Sequence, residues 1–163
     1  ATIYEYDGAT KGFIASPAAY APRREEINNY IMGYSTPIFS PTSGMKISAG
    51  DLANYMIMHM NLGRGNRKKI MSRKSARQMQ TSLSEAEGYG LAISTTSKLI
   101  PGKTLKGHTG SAYGLYSAMF FHPKEKFGIV VISNGCDPAY TDGFNAVIRK
   151  TVACLYDHII KQR

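Results

Sequence analysis

Lys106-Gly107-His108-Thr109-Gly110-Ser111 precedes an apolar run at residues 115–121, and the two segments together predict a pair of adjacent β-strands. Gly107 and Gly110 lack a Cβ atom, which predicts a strand edge that a ligand can approach closely. Between them, the His108 ring and the Thr109 hydroxyl can each hydrogen-bond a polar group. The segment therefore predicts a strand edge that faces a ligand.

The remaining patterns predict an α+β fold with one antiparallel sheet. Residues 127–134 are apolar on both faces and are expected near the centre of the sheet. Short connections between the strands imply antiparallel neighbours. Before the sheet, the sequence predicts a helical section of two helices, with Ser48 and Ser72 as their N-terminal caps. The methionines of these helices are expected to fill gaps in the core. A C-terminal helix beginning at Asp142 is expected to pack across one face of the sheet through an apolar stripe, made of Phe144, Val147, Ile148, Val152, Leu155 and Ile159.

The chain of 163 residues is long enough for one core, and its patterning divides it at about residue 47. Residues 1–47 are predicted to be an irregular lead-in, because Pro17, Pro22, Pro37 and Pro41 interrupt them. Only residues 3–6, before Asp7-Gly8, predict a short strand with a turn. A structureless segment of this length is unusual in a compact domain, so we expect it to wrap over something else. Residues 48–163 are predicted to form the folded part.

The composition is basic, with twenty Lys and Arg against eleven Asp and Glu and a formal net charge of +9. The densest basic run, residues 64–69, is interpreted as a solvated loop between two helices, and no nucleic-acid partner is expected. Binding of a nucleic acid or another anionic polymer, suggested by the net charge alone, is the weakest alternative. The chain contains neither an apolar run of membrane-spanning length nor the layout of a signal peptide, and no membrane segment is expected.

The cysteines and histidines outside the central segment are assigned structural positions. Cys136 and Cys154 are predicted to be two separate buried thiols, because about 18 Å of intervening helix would hold them apart. His59, His122 and His158 are expected at the surface or at helix ends. No pair of histidines has the spacing of metal ligands, so neither a metal nor a cofactor is expected.

Four motifs in the same order resemble those of class C β-lactamase-like serine hydrolases. The first, residues 41–53, is similar to their glycine-rich lead-in followed by a serine and an acidic-Leu-Ala helix start. The others are Gly88-Tyr89-Gly90-Leu91, the Gly107–Gly110 segment with Gly114, and residues 128–134, which close on an Asn. The resemblance runs from about residue 41 to residue 155.

This resemblance implies a partial β-lactamase/transpeptidase-like fold and places the chain in the C-terminal portion of such an enzyme. The parent enzyme would act through an acyl-serine intermediate, as a β-lactamase, a D-alanyl carboxypeptidase or an esterase. The resemblance further implies that His108 is catalytic and that Thr109, Gly110 and Ser111 bind the substrate, with the Ser111 N–H as one oxyanion donor. Because β-lactamases have Lys-Thr-Gly where this chain has His-Thr-Gly, recognition of a β-lactam carboxylate is less expected. A periplasmic or secreted location is implied as well.

The nucleophile that this family requires is not evident in the chain. No Tyr-x-Asn occurs, and the one Ser-x-x-Lys, at residues 43–46, is interrupted by Gly44 before the helix begins at Ser48. We therefore expect that Ser43 is not the nucleophile and that the chain alone is inactive. Its expected partners are a small acyl or peptide substrate and either the missing N-terminal part of the same protein or a second copy. The alternative is a non-catalytic module that binds a peptide or a wall fragment.

Overall fold

A computed structural model describes residues 2–16, 27–31, 45–66, 68–84 and 86–162 of the protein and confirms a mixed α+β architecture. The helices that build the fold are α1 (Ala49–Met60), α2 (Arg73–Gln80) and α3 (Ala146–Leu155), which continues as a π-helical turn (Tyr156–Ile160). The strands are β1 (Tyr4–Asp7), β2 (Gly12–Ala15), β3 (Ser94–Thr96), β4 (Leu105–Ala112), β5 (Leu115–His122), β6 (Phe127–Ser133), β7 (Tyr140–Thr141) and β8 (Phe144–Asn145).

The main sheet has the strand order β3-β4-β5-β6 and is antiparallel throughout, as the short connections predict. The turn between β4 and β5 is formed by Tyr113 and Gly114, both at positive φ. A two-residue turn of this backbone conformation matches the twist of the strands that it joins. It fixes the register of β4 against β5, in which Thr109 lies opposite Ala118.

The side chains of β5 alternate between two cores on opposite faces of the sheet. Ala118 and Phe120 belong to one core, and Met119 and Phe121 belong to the other. The helix residues buried in these cores are Ile148 and Val152 of α3 in the first, and Met56 and Met60 of α1 in the second. The C-terminal helix therefore covers one face, as predicted, and α1 covers the opposite face.

The expectation that residues 127–134 lie at the centre of the sheet is wrong. Among the described strands β6 pairs with β5 alone, at the edge of the sheet. Its two faces are both apolar because both are covered by helices: Ile129 packs in the α3 core and Val130 against the α1 core. An apolar pattern on both faces reports the layers above and below a strand, and it does not report how many strands lie beside it.

Helices α1 and α2 begin as their sequence predicts. The Ser48 side chain accepts a hydrogen bond from the Asp51 backbone N–H at 3.0 Å, and Ser72 does the same for Ser75 at 3.0 Å. These hydroxyl groups satisfy first-turn N–H groups that have no partner within the helix. The methionines of α1 are buried, which confirms their place in the core.

The C-terminal helix begins at Ala146 rather than at Asp142. Asp142 and Gly143, both at positive φ, form the turn of the short β7–β8 hairpin, and Asn145 then caps the helix. A helix cannot pass through residues with left-handed backbone conformation, so it starts after this turn. Two members of the predicted apolar stripe, Val147 and Ile159, are exposed.

The prediction of two buried thiols is wrong for Cys154. Cys154 is exposed, because it lies two residues beyond the buried Val152 and so on the opposite side of α3. Cys136 is buried, and both thiols are free.

His59 lies in the last turn of α1, which is one of the two positions expected for it. It is fully buried there, and its ring packs edge-on against that of Tyr55 with 4.6 Å between centroids. Neither nitrogen of the His59 ring has a hydrogen-bond partner. His122 is half-buried and His158 is exposed.

An N-terminal hairpin lies against one end of the main sheet. The predicted strand at residues 3–6 is confirmed as β1, which pairs with β2. The Tyr4 N–H donates to the Asn134 carbonyl at 2.7 Å, just beyond the end of β6. The prolines that predict interruption of the lead-in, and Ser43, lie outside the described residues. None of the helices in the described ranges is long and apolar enough to span a bilayer.

Candidate functional site

The outer edge of β4 is open beside the His-Thr-Gly segment. β3 pairs with β4 only along Leu105 to Gly107, and the last pair joins Ser94 of β3 to Gly107 of β4. From His108 to Ala112, β4 pairs with β5 on one side and with no strand of the described chain on the other. Backbone N–H and C=O groups on such an edge can hydrogen-bond an extended ligand.

The predicted site residues are consecutive on β4, and their side chains alternate between the two faces of the sheet. His108 and Gly110 are on the α1 face: His108 pairs with Met119, which belongs to that core, and Gly110 lies two residues further along the same face, opposite Ser117. Thr109 and Ser111 are on the α3 face, opposite Ala118 and Tyr116. The ring of His108 is therefore on one face of the sheet, and the hydroxyls of Thr109 and Ser111 are on the other. The backbone of all four residues, from His108 to Ser111, lies along the same open edge.

A cavity of about 190 Å³ lies on the α1 face at this edge. His108, Thr109 and Gly110 line it from β4, and α1 contributes Leu52 and Tyr55. Burial raises the pKa of Tyr55, so its hydroxyl stays protonated at neutral pH. The remaining lining residues are Ala92, Ile93, Ser117 and Met119. Ser111 does not line this cavity, and instead lines a recess of about 30 Å³ together with residues of the β7–β8 hairpin.

Both nitrogens of the His108 ring have partners. Nδ1 contacts the Thr109 carbonyl oxygen, and Nε2 lies 2.9 Å from the Tyr89 hydroxyl. A carbonyl oxygen can only accept, so its contact assigns the proton to Nδ1 and leaves Nε2 to accept from the Tyr89 hydroxyl. The two rings also pack edge-on, with 5.5 Å between centroids. Tyr89 is therefore a functional candidate that the sequence analysis did not single out.

The glycines around Tyr89 explain its position. Gly88 has φ of +63°, and a Cβ atom there would lie 2.7 Å from the Thr95 carbonyl oxygen. A Cβ atom on Gly90 would lie 2.5 Å from the Met79 carbonyl oxygen. Only glycine allows the segment to lie this close to β3 and to the end of α2, and this placement brings Tyr89 over β4. A tyrosine between two glycines was the signal in the sequence that could have identified it.

Gly107 has a different role from the one predicted. A Cβ atom at this position would lie 1.8 Å from the Met119 carbonyl oxygen, on the neighbouring strand β5. The close approach at Gly107 is therefore made by the protein's own backbone and not by a ligand. At Gly110 a Cβ atom would meet only the Ser117 hydroxyl, at 2.7 Å, and that side chain can rotate away.

The two histidines that follow in the sequence, which were not predicted as site residues, lie apart from this site. His122 is at the far end of β5, and His158 is in the π-helical turn after α3. Among the described residues no group of three His, Cys, Asp or Glu side chains lies close enough to hold a metal ion. Residues 43 and 44, where the Ser-x-x-Lys begins, fall outside the described ranges.

Comparison with known proteins identifies the family. The family model described as Beta-lactamase matches residues 3–152, which is most of the chain. Searches of curated proteins and of solved structures returned no match. The matched range contains the main sheet, α1, the first seven residues of α3, and the Tyr89–His108 pair at the open edge. The chain therefore belongs to the Beta-lactamase family.

Proposed function

We propose that this chain provides the substrate-binding edge of a serine hydrolase that acts through an acyl-serine intermediate, as a β-lactamase, a D-alanyl carboxypeptidase or an esterase. The observation that carries the proposal is the open edge of β4 from His108 to Ala112, beside the cavity that contains the His108 ring. An acyl or peptide substrate placed along this edge would meet backbone donors and acceptors in a fixed arrangement.

The backbone at this edge supplies electrostatic stabilisation in the proposed reaction. The Ser111 N–H is one of two donors to the oxyanion, and the second comes from the residue that carries the nucleophile. A preorganised donor of this kind lowers the barrier by about 3 kcal/mol. Thr109 and Gly110 hold the substrate along the same edge, Gly110 without a side chain that would project toward it.

His108 takes part in proton transfer near the leaving group. When the ring is neutral, Nε2 accepts a hydrogen bond from the Tyr89 hydroxyl. When Nε2 gains a proton, the same hydroxyl rotates and accepts, because a phenol oxygen can do either. His108 can therefore change its charge without leaving Nε2 unpaired, which suits a general acid or base.

The nucleophile and its base come from outside this chain, either from an N-terminal part of the same protein or from a partner chain. The chain alone is then catalytically silent. Intact-mass measurement of the purified sample, before and after incubation with a fluorophosphonate or benzylpenicillin, tests this part. An adduct on a second polypeptide supports it, and an adduct on this chain overturns it.

Substrate binding is tested separately on the ¹⁵N-labelled chain. Titration with benzylpenicillin, an N-acyl-D-alanyl peptide and a simple aryl ester should shift the backbone amides of residues 108–112 for at least one compound. His108→Gln should weaken that binding, whereas the matched control His122→Gln should not. Absence of shifts at residues 108–112 with all three compounds would overturn the proposal. Shifts without any adduct or second polypeptide would leave a binding module, the alternative to an enzyme.

A further inference from the structure

The positive charge of this protein is concentrated in one segment. Between Asp51 and Glu85 the sequence contains no Asp or Glu and seven of the twenty Lys and Arg residues. The other thirteen nearly cancel the eleven acidic residues, so this segment accounts for most of the formal net charge of +9. The charge is therefore a local property of the surface around α2, and it is independent of the site on β4.

The segment holds its cations on a defined backbone. Arg64 and Lys69 form an antiparallel bridge, and the Gly65 N–H donates to the Lys68 carbonyl at 3.0 Å, which closes a short hairpin. The N–H groups of Ile70 and Met71 both donate to the Gly63 carbonyl. This run lies between α1 and α2 and is solvated, as predicted, and the bridge joins its two ends. Its described cations are exposed, as are Arg73, Lys74 and Arg77 of α2.

Three elements bring positive charge to one cavity. A space of about 350 Å³ is lined by Arg64 from the hairpin, Arg73 from α2 and Lys126 from the turn between β5 and β6. No acidic residue lines it. The ion pairs formed by the described residues lie elsewhere, at Lys103–Glu125, His122–Glu125 and Arg149–Asp142. The basic side chains of the hairpin and α2 are therefore available to an external anion.

The neighbouring side chains favour a lipid surface over a nucleic acid. Ile70 is 63% exposed and directly follows Lys68 and Lys69. An aliphatic side chain beside Lys and Arg residues suits the interface between lipid headgroups and acyl chains. The segment from residue 56 to residue 88 contains no Phe, Tyr or Trp on which unpaired bases could stack.

We propose that residues 64–77 form a docking surface for a membrane rich in anionic phospholipids, with Arg64, Lys68, Lys69 and Lys74 contacting headgroup phosphates and Ile70 inserting between them. Each Lys or Arg near an anionic surface strengthens binding roughly fivefold. The interaction weakens as salt screens the charges.

The test is co-sedimentation of the chain with vesicles made of equal parts phosphatidylcholine and phosphatidylglycerol, and with vesicles of phosphatidylcholine alone. We expect binding to the mixed vesicles only, reduced about 25-fold in the double variant Lys68→Gln, Lys69→Gln. Lys150→Gln, which removes an exposed charge from α3, is the matched control and should change binding by less than about twofold. Equal losses in the two variants, or no binding to mixed vesicles, overturn the proposal.

Two further variants separate lipid binding from misfolding and from general polyanion binding. Lys74→Glu places a carboxylate in the first turn of α2, where a negative charge stabilises the helix. The Tm of this variant should therefore rise, whereas its binding to vesicles should fall. Ile70→Ser should weaken vesicle binding at least threefold, whereas it should not change the affinity measured in parallel for double-stranded DNA. The proposal would be overturned if the chain bound the DNA more tightly than mixed vesicles at the same salt concentration and Ile70→Ser did not change DNA binding. The partner would then be a nucleic acid and not a membrane.

Discussion

The Tyr89 hydroxyl lies 2.9 Å from Nε2 of His108, and this contact joins two of the motifs by which the chain resembles its family. Tyr89 is held between two glycines that pack against neighbouring backbone, whereas His108 is on the strand that carries the open edge. The two motifs, 19 residues apart, therefore form one polar pair at one cavity. This pair makes the ionisation and tautomer of His108 measurable properties of the site.

Tyr89→Phe should change the tautomer of His108 without disturbing the fold. The phenyl ring keeps the edge-on packing, but the donor to Nε2 is lost, so the share of the tautomer with the proton on Nε2 should increase. The change is read from the side-chain ¹⁵N shifts of His108. Tyr113→Phe, in the exposed turn between β4 and β5, is the control and should leave these shifts unchanged. Identical shifts in the parent and Tyr89→Phe would show that the hydrogen bond does not form in solution.

Gly107→Ala should destabilise the protein severely. Its Cβ atom would lie 1.8 Å from a backbone oxygen of β5, so the two strands must separate. We expect the free energy of unfolding in urea to fall by more than about 4 kcal/mol. Gly8→Ala, where a Cβ atom meets nothing within 4 Å, should change it by less than about 0.5 kcal/mol. A small effect at Gly107 would mean that β4 and β5 pair in another register.

His59 should make the protein less stable in acid. Burial lowers the pKa of this ring below its ordinary value of 6.5, and neither nitrogen has a partner. Below about pH 6.5 the unfolded chain therefore binds more protons than the folded chain at this residue, so stability is lost as the pH falls, by at most about 1.4 kcal/mol per pH unit. Urea unfolding between pH 7.5 and 5.5 should show a flatter slope in His59→Leu than in the parent. His158→Gln, at an exposed histidine, should keep the parental slope; equal slopes in all three proteins would contradict the assignment.

Asn145→Ala should weaken the start of α3. The Asn145 Oδ1 atom accepts from two first-turn N–H groups at 3.1 and 3.2 Å, and its Nδ2 atom donates to the Asp137 carbonyl at 2.7 Å. Loss of the cap and of that donor should lower the free energy of unfolding by about 2–3 kcal/mol.

Two comparison variants separate these contributions. Asn145→Asp retains the acceptor but loses the donor, so an intermediate loss is expected. Ser72→Ala removes the simpler cap of α2 and should lower the free energy of unfolding by about 1 kcal/mol. If Ser72→Ala were the more damaging change, the partly buried hydrogen bond to Asp137 would be of little importance.

The sequence predicted the elements whose local signals agree with their surroundings. Ser48 and Ser72 open helices because a hydroxyl can satisfy first-turn N–H groups wherever the helix lies. The β4–β5 pair followed from the apolar run at residues 115–121 and from the short connection that precedes it. His59 could not be placed in this way, because its burial depends on which face of α1 meets the sheet, and a histidine gives no hydrophobic signal of its own.

The candidate site was predicted in part. The segment from His108 to Ser111 was identified from its residue types, and the structure places these residues together on β4. That the edge beside them is open depends on where β3 ends, and this is a tertiary property. Tyr89 was missed for a similar reason, since its contact with His108 depends on the close packing of Gly88 and Gly90.

The position of β6 at the edge of the sheet bears on the solubility of the protein. Its seven residues contain neither a charged side chain nor a proline, the features that usually prevent one sheet edge from pairing with another. The net positive charge of the chain opposes the approach of a second copy, and this repulsion acts at a distance and is screened by salt. Raising the ionic strength, which helps many basic proteins to remain dissolved, should therefore promote self-association of this one.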